Sequence, residues 1–223
     1  AMSVWGGEQT CGIGVATADS PQGPFTDHGK MFRSNEIGVQ NSIDPSLLQY
    51  EGRNYLVWGS FRGIYVIELT ADGLSIMPGA KKKRIAGTAF EAVYIHKHGD
   101  YYYMFASIGS CCQGVKSTYK VVVGRSKKVW GPYKDKTGKP MLKNGYSLVI
   151  GANDHFVGNG HGSQIIQDDA GQDWLLYHGF SRSTPENGRI LLLDQIKWDQ
   201  EGWPYVEGGS PSYETQKAPV FNN

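Results

Sequence analysis

The chain has 223 residues, and its 22 Lys and Arg residues nearly balance its 21 Asp and Glu residues, for a formal net charge of +1. This balance argues against a protein that binds nucleic acid through the phosphates, because such a protein needs a basic excess. Hydrophobic residues make up 39% of the chain, which is enough to fill a core and excludes a disordered chain. No apolar run approaches the roughly 18 residues that a membrane-spanning helix needs.

Glycine and aromatic residues are abundant, with 30 Gly, 13 Tyr, 8 Phe and 6 Trp. This composition is typical of many short strands joined by tight turns, and the sequence shows no long amphipathic helical period. We therefore expect a single all-β domain. The 3 cysteines do not form a disulfide framework, and the absence of a C-x-x-C motif argues against a zinc site.

The N-terminal segment resembles the end of a unit that recurs later in the chain. Residues 5–7 (Trp-Gly-Gly) match residues 58–60 (Trp-Gly-Ser), and residues 14–27 resemble residues 122–135 in a strand, a Ser and a Gly-Pro turn. We interpret residues 14–27 as the third and fourth strands of a unit. The chain would then begin inside the second strand of that unit.

Two later segments, residues 44–60 and residues 91–107, align without a gap. Each opens with a carboxylate, turns at a glycine (Gly52, Gly99) and ends in an aromatic-rich strand, which predicts a β-hairpin. A looser copy spans residues 161–179. Recurring four-stranded units are typical of a β-propeller, here without the WD40 signature.

The repeats divide the single domain, residues 1–223, into successive blades of the predicted propeller. A partial blade covers residues 1–40, and further blades cover residues 41–90, 91–150 and 151–223. In a blade, the start of the first strand shares one face with the loop between the second and third strands. This register brings the predicted strand starts Asp44, Glu91 and His161 together around the axis. The same face carries Ser60, Phe61, Ser107, Cys111, Cys112, residues 178–180 and Arg189.

Asp44 and Glu91 would then be two carboxylates in a cleft with aromatic walls. Like charges raise the pKa of one of the pair, which can then act as a general acid at neutral pH. Paired carboxylates with aromatic platforms suit glycoside hydrolysis. A lone Asp-Pro-Ser is more often a simple strand-start turn. However, a carboxylate recurs at the same structural position, which favours the catalytic interpretation.

Two features allow more than one interpretation. His161 stands between glycines and is either a structural histidine or a ligand for a metal ion or water. Cys111 and Cys112 are adjacent and form either a vicinal disulfide or two buried thiols.

Motifs along nearly the whole chain carry a family resemblance. They are residues 41–46 (Asn-Ser-Ile-Asp-Pro-Ser), 55–60, 90–95, 99–107, 111–119, 158–161, 173–180 and 196–204. In these stretches the chain resembles glycoside hydrolase family 43, especially its endo-α-1,5-L-arabinanases. The Asp-Pro-Ser and Glu motifs are shared across that family, and the Cys-Cys-x-Gly-Val stretch looks most like an arabinanase.

The resemblance implies a five-bladed propeller that hydrolyses arabinan or arabino-oligosaccharides with inversion, outside the cell or in the periplasm. By position, Glu91 would be the general acid, and Asp44 would orient that acid and tune its pKa. His161 would help to hold a metal ion near the axis, often calcium. The substrate contacts would be Asn41, Ser60, Phe61, Ser107, Cys111, Cys112 and Arg189.

The chain departs from the family in one respect. The family's general base is an Asp of the first blade, and no residue here matches it. We therefore expect the first blade and one strand of the second to be missing from this chain. Loss of general-base assistance typically costs about 10²–10⁴-fold in rate. The missing blade would lie on another polypeptide, or a dimer would cover the exposed blade flanks.

Two other functions stay open. The chain could be a non-catalytic propeller fragment that binds arabinan or oligosaccharides, in which case it would bind without turnover. It could also be a family 43 xylosidase or arabinofuranosidase, which its product profile would reveal. Neither nucleic acid nor a membrane is an expected partner.

Overall fold

The computed structural model describes residues 7–222, so residues 5 and 6 of the predicted N-terminal repeat lie outside the described part. The chain divides into two compact units, residues 1–93 and residues 94–223. Across residues 7–222, no helix combines the length and the apolar character that crossing a membrane requires.

The first unit contains two antiparallel sheets. The smaller sheet precedes a short helix, and the larger is a four-stranded meander in chain order. The elements are β1 (Gly12–Thr17), β2 (Thr26–Arg33), α1 (Ser34–Ile37), β3 (Ser46–Tyr50), β4 (Arg53–Trp58), β5 (Ile64–Glu68) and β6 (Lys83–Ala86). The β3–β4 turn falls at Gly52 as predicted. Glu51 and Gly52 have φ values of 49° and 73°, which is the backbone of a type I′ hairpin.

Two further antiparallel meanders follow, and the first begins with a strand that spans the boundary between the units. Its strands are β7 (Glu91–His98), β8 (Tyr101–Ile108), β9 (Lys120–Ser126) and β10 (Ser147–Ile150). The last sheet consists of β11 (Phe156–Gly160), β12 (Ile166–Gln167), β13 (Asp173–Ser181), β14 (Arg189–Trp198) and β15 (Pro204–Tyr205). Short 3-10 helices lie at Gly114–Lys116, Met141–Lys143, Pro185–Asn187 and Glu207–Gly209. The all-β prediction is confirmed.

The predicted repeat of residues 14–27 in residues 122–135 is only partly correct. In both copies a strand leads to a Gly-Pro turn with a cis peptide bond, at Gly23–Pro24 and Gly131–Pro132. In the first copy the fourth strand, β2, follows at once. In the second copy Lys134 instead makes isolated bridges, and the fourth strand β10 begins only at Ser147.

The predicted strand starts are correct for one of three residues. Glu91 opens β7. Asp44 precedes β3, which begins at Ser46 after Pro45, a residue with no N–H for the ladder. His161 does not open a strand, because it has a φ of 54° in the break between β11 and β12, which both pair with β13.

Residues 178–180 also lie elsewhere than predicted. They belong to β13 rather than to a loop, because pairing with β14 continues from Asp173 to Phe180. The loop between these two strands follows Ser181, and Arg189 opens β14 as expected.

Each unit packs its strands on buried apolar side chains. Phe32, Leu56 and Trp58 belong to the core of the first unit. Tyr94, Phe105, Leu175 and Tyr177 belong to the core of the second. These buried side chains hold the strands of each sheet in place. The residues at the strand ends are then available to form the candidate site.

Two leucines of the last sheet test this packing. Leu175 is fully buried and Leu191 is 74% exposed. We expect Leu175→Ala to lower the free energy of unfolding by about 2–5 kcal/mol, since it leaves a cavity. Leu191→Ala should change it by less than about 0.5 kcal/mol. Urea denaturation measures the free energy of unfolding of both variants. Equal decreases in the two variants would contradict this assignment of the core.

Candidate active site

The Glu91 carboxylate is held at the start of β7 by a hydrogen-bonded chain of side chains. Glu91 is only 8% exposed, and its Oε2 accepts a hydrogen bond of 2.8 Å from Ser60 Oγ. Ser60 follows β4 and is itself buried, while Asn41 Nδ2 donates to the Ser60 carbonyl oxygen at 3.0 Å. A buried carboxylate needs such donors, because burial without hydrogen bonds is costly.

The Asp44 carboxylate fixes the backbone next to Glu91. Its Oδ2 accepts a hydrogen bond of 3.0 Å from the backbone N–H of Ala92. The chain just before Asp44 is also anchored, because the Gly59 N–H donates to the Ile43 carbonyl oxygen at 3.0 Å. The structure therefore brings the two predicted carboxylates into one hydrogen-bonded group.

The backbone around this group is strained. Among residues 7–222, seven non-glycine residues have a positive φ. Four of them, Asn41, Asp44, Phe61 and Ala92, belong to this group or adjoin it, and a fifth, His161, is a predicted site residue of the second unit. Non-glycine residues adopt this left-handed conformation at a cost, and such residues cluster at functional sites. The strain supports a functional role for these positions.

A backbone hydrogen bond fixes the position of Phe61. Its N–H donates to the Phe90 carbonyl oxygen at 2.9 Å, directly before Glu91. Its side chain is half-buried in the loop between β4 and β5, as predicted. This backbone contact brings residue 61 next to the start of β7, and the role of its ring as a platform for a sugar stays a prediction.

In the second unit, Ser107 and His161 are joined. The His161 backbone N–H donates to Ser107 Oγ at 2.8 Å, and Ser107 is buried. The backbone just before His161 packs closely, since a Cβ on Gly160 would lie 2.3 Å from Cδ1 of the Tyr119 ring. Ser107 thus positions His161, and its predicted contact with substrate stays a prediction.

His178 belongs to the same group, and it lies on the face that was predicted to carry residues 178–180, although no chemical role was predicted for it. Its ring stacks between those of Tyr119 and His161, with centroids 5.7 Å and 6.3 Å away. Burial, with the positive charge of Arg189 and the proximity of His161, lowers the pKa of His178 to about 4. Neither ring nitrogen has a hydrogen-bond partner within residues 7–222. Strand pairing of Gly160 with His178 places this ring next to His161.

Cys111 and Cys112 form a vicinal disulfide, so the alternative of two buried thiols is wrong. Cys111 is half-buried and Cys112 is exposed. The base of their loop is pinned by two reciprocal bonds, Ser110 N–H to Thr118 Oγ1 at 3.0 Å and Thr118 N–H to Ser110 Oγ at 3.1 Å. The disulfide is therefore presented on a fixed loop.

The donors around His161 do not fit calcium. Calcium prefers six to eight oxygen ligands, whereas His161 offers an exposed imidazole beside a second imidazole. Within the described part of the chain, the cluster of three metal-ligating side chains is His96, His98 and Asp173, without His161. Calcium at His161 stays an untested prediction, and no chemical step is derived through it.

The predicted site residues thus fall into two groups. The first unit holds Asn41, Asp44, Ser60, Phe61 and Glu91, and the second holds Ser107, Cys111, Cys112, His161 and Arg189. The meeting of the two groups around a common axis stays a prediction, as do the individual roles.

A family model described as "Glycosyl hydrolases family 43" matches residues 1–204. The chain is 37% identical over 224 residues to an extracellular exo-alpha-(1->5)-L-arabinofuranosidase of Cellvibrio japonicus, covering 90% of this chain and 63% of that protein. It is 36% identical over 207 residues to an extracellular endo-alpha-(1->5)-L-arabinanase of Bacillus subtilis, covering 89% and 61%. The chain thus spans just over three-fifths of the length of these relatives.

A solved structure has the same fold. The alpha-L-arabinanase of Cellvibrio cellulosa, in complex with arabinohexaose, superposes with a TM-score of 0.82 at 34% identity, covering 91% of this chain and 71% of that one. Such arabinanases are five-bladed β-propellers, which confirms the predicted fold class.

Substitutions of Asp44 test its hydrogen bond to Ala92. Asp44→Ala removes the acceptor and leaves a buried N–H unpaired, so it should cost about 1–3 kcal/mol of unfolding free energy. Asp44→Asn keeps an acceptor oxygen and tolerates the left-handed backbone, so it should cost clearly less.

Urea denaturation distinguishes the two variants, with the exposed Asp19→Ala as a control expected within about 0.5 kcal/mol of the unsubstituted chain. Equal losses for Asp44→Ala and Asp44→Asn would contradict the proposed role of the acceptor.

Proposed function

The chain belongs to glycosyl hydrolase family 43, and on that premise we propose that it hydrolyses the α-1,5-L-arabinofuranosyl linkages of arabinan with inversion. The observation that carries the proposal is the hydrogen-bonded group of two carboxylates, with Glu91 on Ser60 and Asp44 on the Ala92 amide. The names of the two relatives, which act on α-1,5-linked arabinose, support the choice of substrate.

Glu91 is the general acid in this proposal. As the bond between the anomeric carbon and the glycosidic oxygen breaks, the carboxyl proton moves to that oxygen and the leaving sugar departs as an alcohol. Burial and the Ser60 hydroxyl hold the carboxyl group in one orientation before substrate binds. Such positioning lowers the barrier because no reorganisation is needed during the reaction.

Asp44 is a positioning residue. It acts through the Ala92 amide, which follows Glu91 directly in the chain, and so sets the direction in which the Glu91 side chain leaves β7. Inversion also requires a second carboxylate that activates water on the opposite face of the sugar. The proposal assigns no residue of the described part to that role.

Sugar contacts come from the residues around the two groups. The half-exposed ring of Phe61 offers a stacking face, with Asn41 and Ser60 beside it. Ser107, the disulfide loop of Cys111 and Cys112, and Arg189 extend the contacts in the second unit. Both relatives are named extracellular, which supports action outside the cell, and the periplasm is the alternative compartment.

The test compares two leaving groups in the Glu91→Gln variant. The leaving sugar of an arabino-oligosaccharide needs a proton on its oxygen, whereas dinitrophenolate leaves from a dinitrophenyl arabinofuranoside as a stable anion without one. Glu91→Gln should slow oligosaccharide hydrolysis by about 10²–10⁴-fold and leave dinitrophenyl release much less affected. The amide oxygen can still accept from Ser60, so the fold should persist.

Glu214→Gln serves as the matched control, because Glu214 is exposed and lies outside the site. It should match the unsubstituted chain on both substrates. If Glu91→Gln lowered the hydrolysis rate of both substrates equally, Glu91 would not be the general acid. If the unsubstituted chain binds arabino-oligosaccharides by titration but releases no product, the proposed hydrolysis by this chain is wrong.

A further inference from the structure

A second cluster of chemically active side chains lies in the second unit, separate from the residues assigned above. His96 and His98 lie on β7, and Asp173 opens β13. One potential ligand atom from each lies within 4.8 Å of the other two. We propose that these three side chains bind a divalent transition-metal ion of the zinc type, independently of the glycosidase chemistry.

The strand geometry places the ligands on one face. Alternate residues of a strand point to the same side, so Tyr94, His96 and His98 share a face of β7. The His98 Nδ1 atom lies 3.9 Å from Asp173 Oδ2. Because β7 and β13 belong to different sheets, a bound ion would link the last two sheets of the chain.

The Asp173 carboxylate is prepared for a cation. It is 6% exposed, and within the described residues the basic side chain that lies beside it is His98 rather than a lysine or arginine. Trp198 Nε1 donates to its Oδ2 at 2.7 Å, and Gln167 Nε2 donates to its Oδ1 at 3.2 Å. Carboxylates that ligate metals are typically oriented by such outer-shell donors.

The two imidazole rings are held in place by packing. The His98 ring stacks on Trp198, with centroids 3.7 Å apart and planes 9° apart. The His96 ring also faces Trp198, with centroids 6.1 Å apart and planes 19° apart. Side chains locked in this way keep the orientation that metal ligands need.

Tyr94 supplies an independent observation. It is 4% exposed, and within residues 7–222 its hydroxyl has no hydrogen-bond partner. A buried hydroxyl of this kind calls for a partner, and a water molecule in the fourth position of a bound ion would provide one.

The ligand types select the class of metal. Two imidazole nitrogens and one carboxylate oxygen suit zinc, cobalt or nickel, whereas calcium and magnesium prefer oxygen ligands alone. Zinc bonds to these atoms are about 2.0–2.2 Å long. Small side-chain rotations would close the present spacing to that length.

The test uses the chain without an affinity tag, stripped of metal with a chelator. Calorimetric titration with zinc should show one ion per chain, and zinc but not calcium should raise the Tm. Cobalt should give visible absorption bands typical of low-coordinate nitrogen and oxygen ligation. None of these readouts depends on hydrolysis, so their failure is distinguishable from failure of the proposed function.

Graded variants keep the proposal falsifiable. Trp198→Phe keeps a ring against His98 but removes the N–H donor to Asp173, and it should weaken zinc binding by roughly 10–100-fold. His98→Ala and His96→Ala remove ligands and should weaken it further. His155→Ala, an exposed histidine stacked on Tyr213, should leave the affinity unchanged.

Two outcomes would overturn the proposal. One is the absence of zinc binding by the unsubstituted chain. The other is an equal loss of affinity in His155→Ala and His98→Ala, which would indicate binding by surface histidines. Asp173→Asn keeps an oxygen that can accept the Trp198 N–H, so this variant should fold normally. It removes the negative charge and should therefore abolish the cobalt spectrum without unfolding the chain.

Discussion

The hydrogen bond from the Ala92 amide to the Asp44 carboxylate is the contact on which the candidate site depends. It joins the turn before β3 to the start of β7, the strand that carries Glu91. Asp44 and Ala92, the two residues that this bond joins, both have a left-handed backbone, which is costly in isolation. This conformation persists because the bond and the neighbouring contacts stabilise it. The Ser60 hydroxyl then needs only to fix the carboxylate that the backbone has already placed.

Much of this arrangement was predictable because it follows from repetition. A carboxylate before an aromatic hairpin recurs at residues 44 and 91, and strand register alone places both at equivalent blade positions. The hairpin turn at Gly52 follows from its glycine. The proposed acid and its positioning partner therefore came from the sequence, although the bond between them, through the amide of Ala92, did not.

Other features depend on contacts that no local pattern encodes. The interruption between β11 and β12 begins at His161, whose backbone is left-handed, although the sequence there was predicted to start a strand. The lowered pKa of His178 depends on its burial and on the charge of Arg189, and strand pairing with Gly160 sets its position. The approach of Asp173 to His98 brings together two sheets and a tryptophan, Trp198, from a third stretch of sequence. Tertiary packing alone creates these neighbours.

The most direct measurement is a crystal structure of the Glu91→Gln variant with a bound arabino-oligosaccharide. We predict that a glycosidic oxygen lies within hydrogen-bonding distance, about 2.6–3.2 Å, of the side chain at position 91. The Ser60 and Ala92 hydrogen bonds should remain in place. If every linkage oxygen of the bound oligosaccharide lay beyond hydrogen-bonding distance of that side chain, Glu91 would not be the general acid.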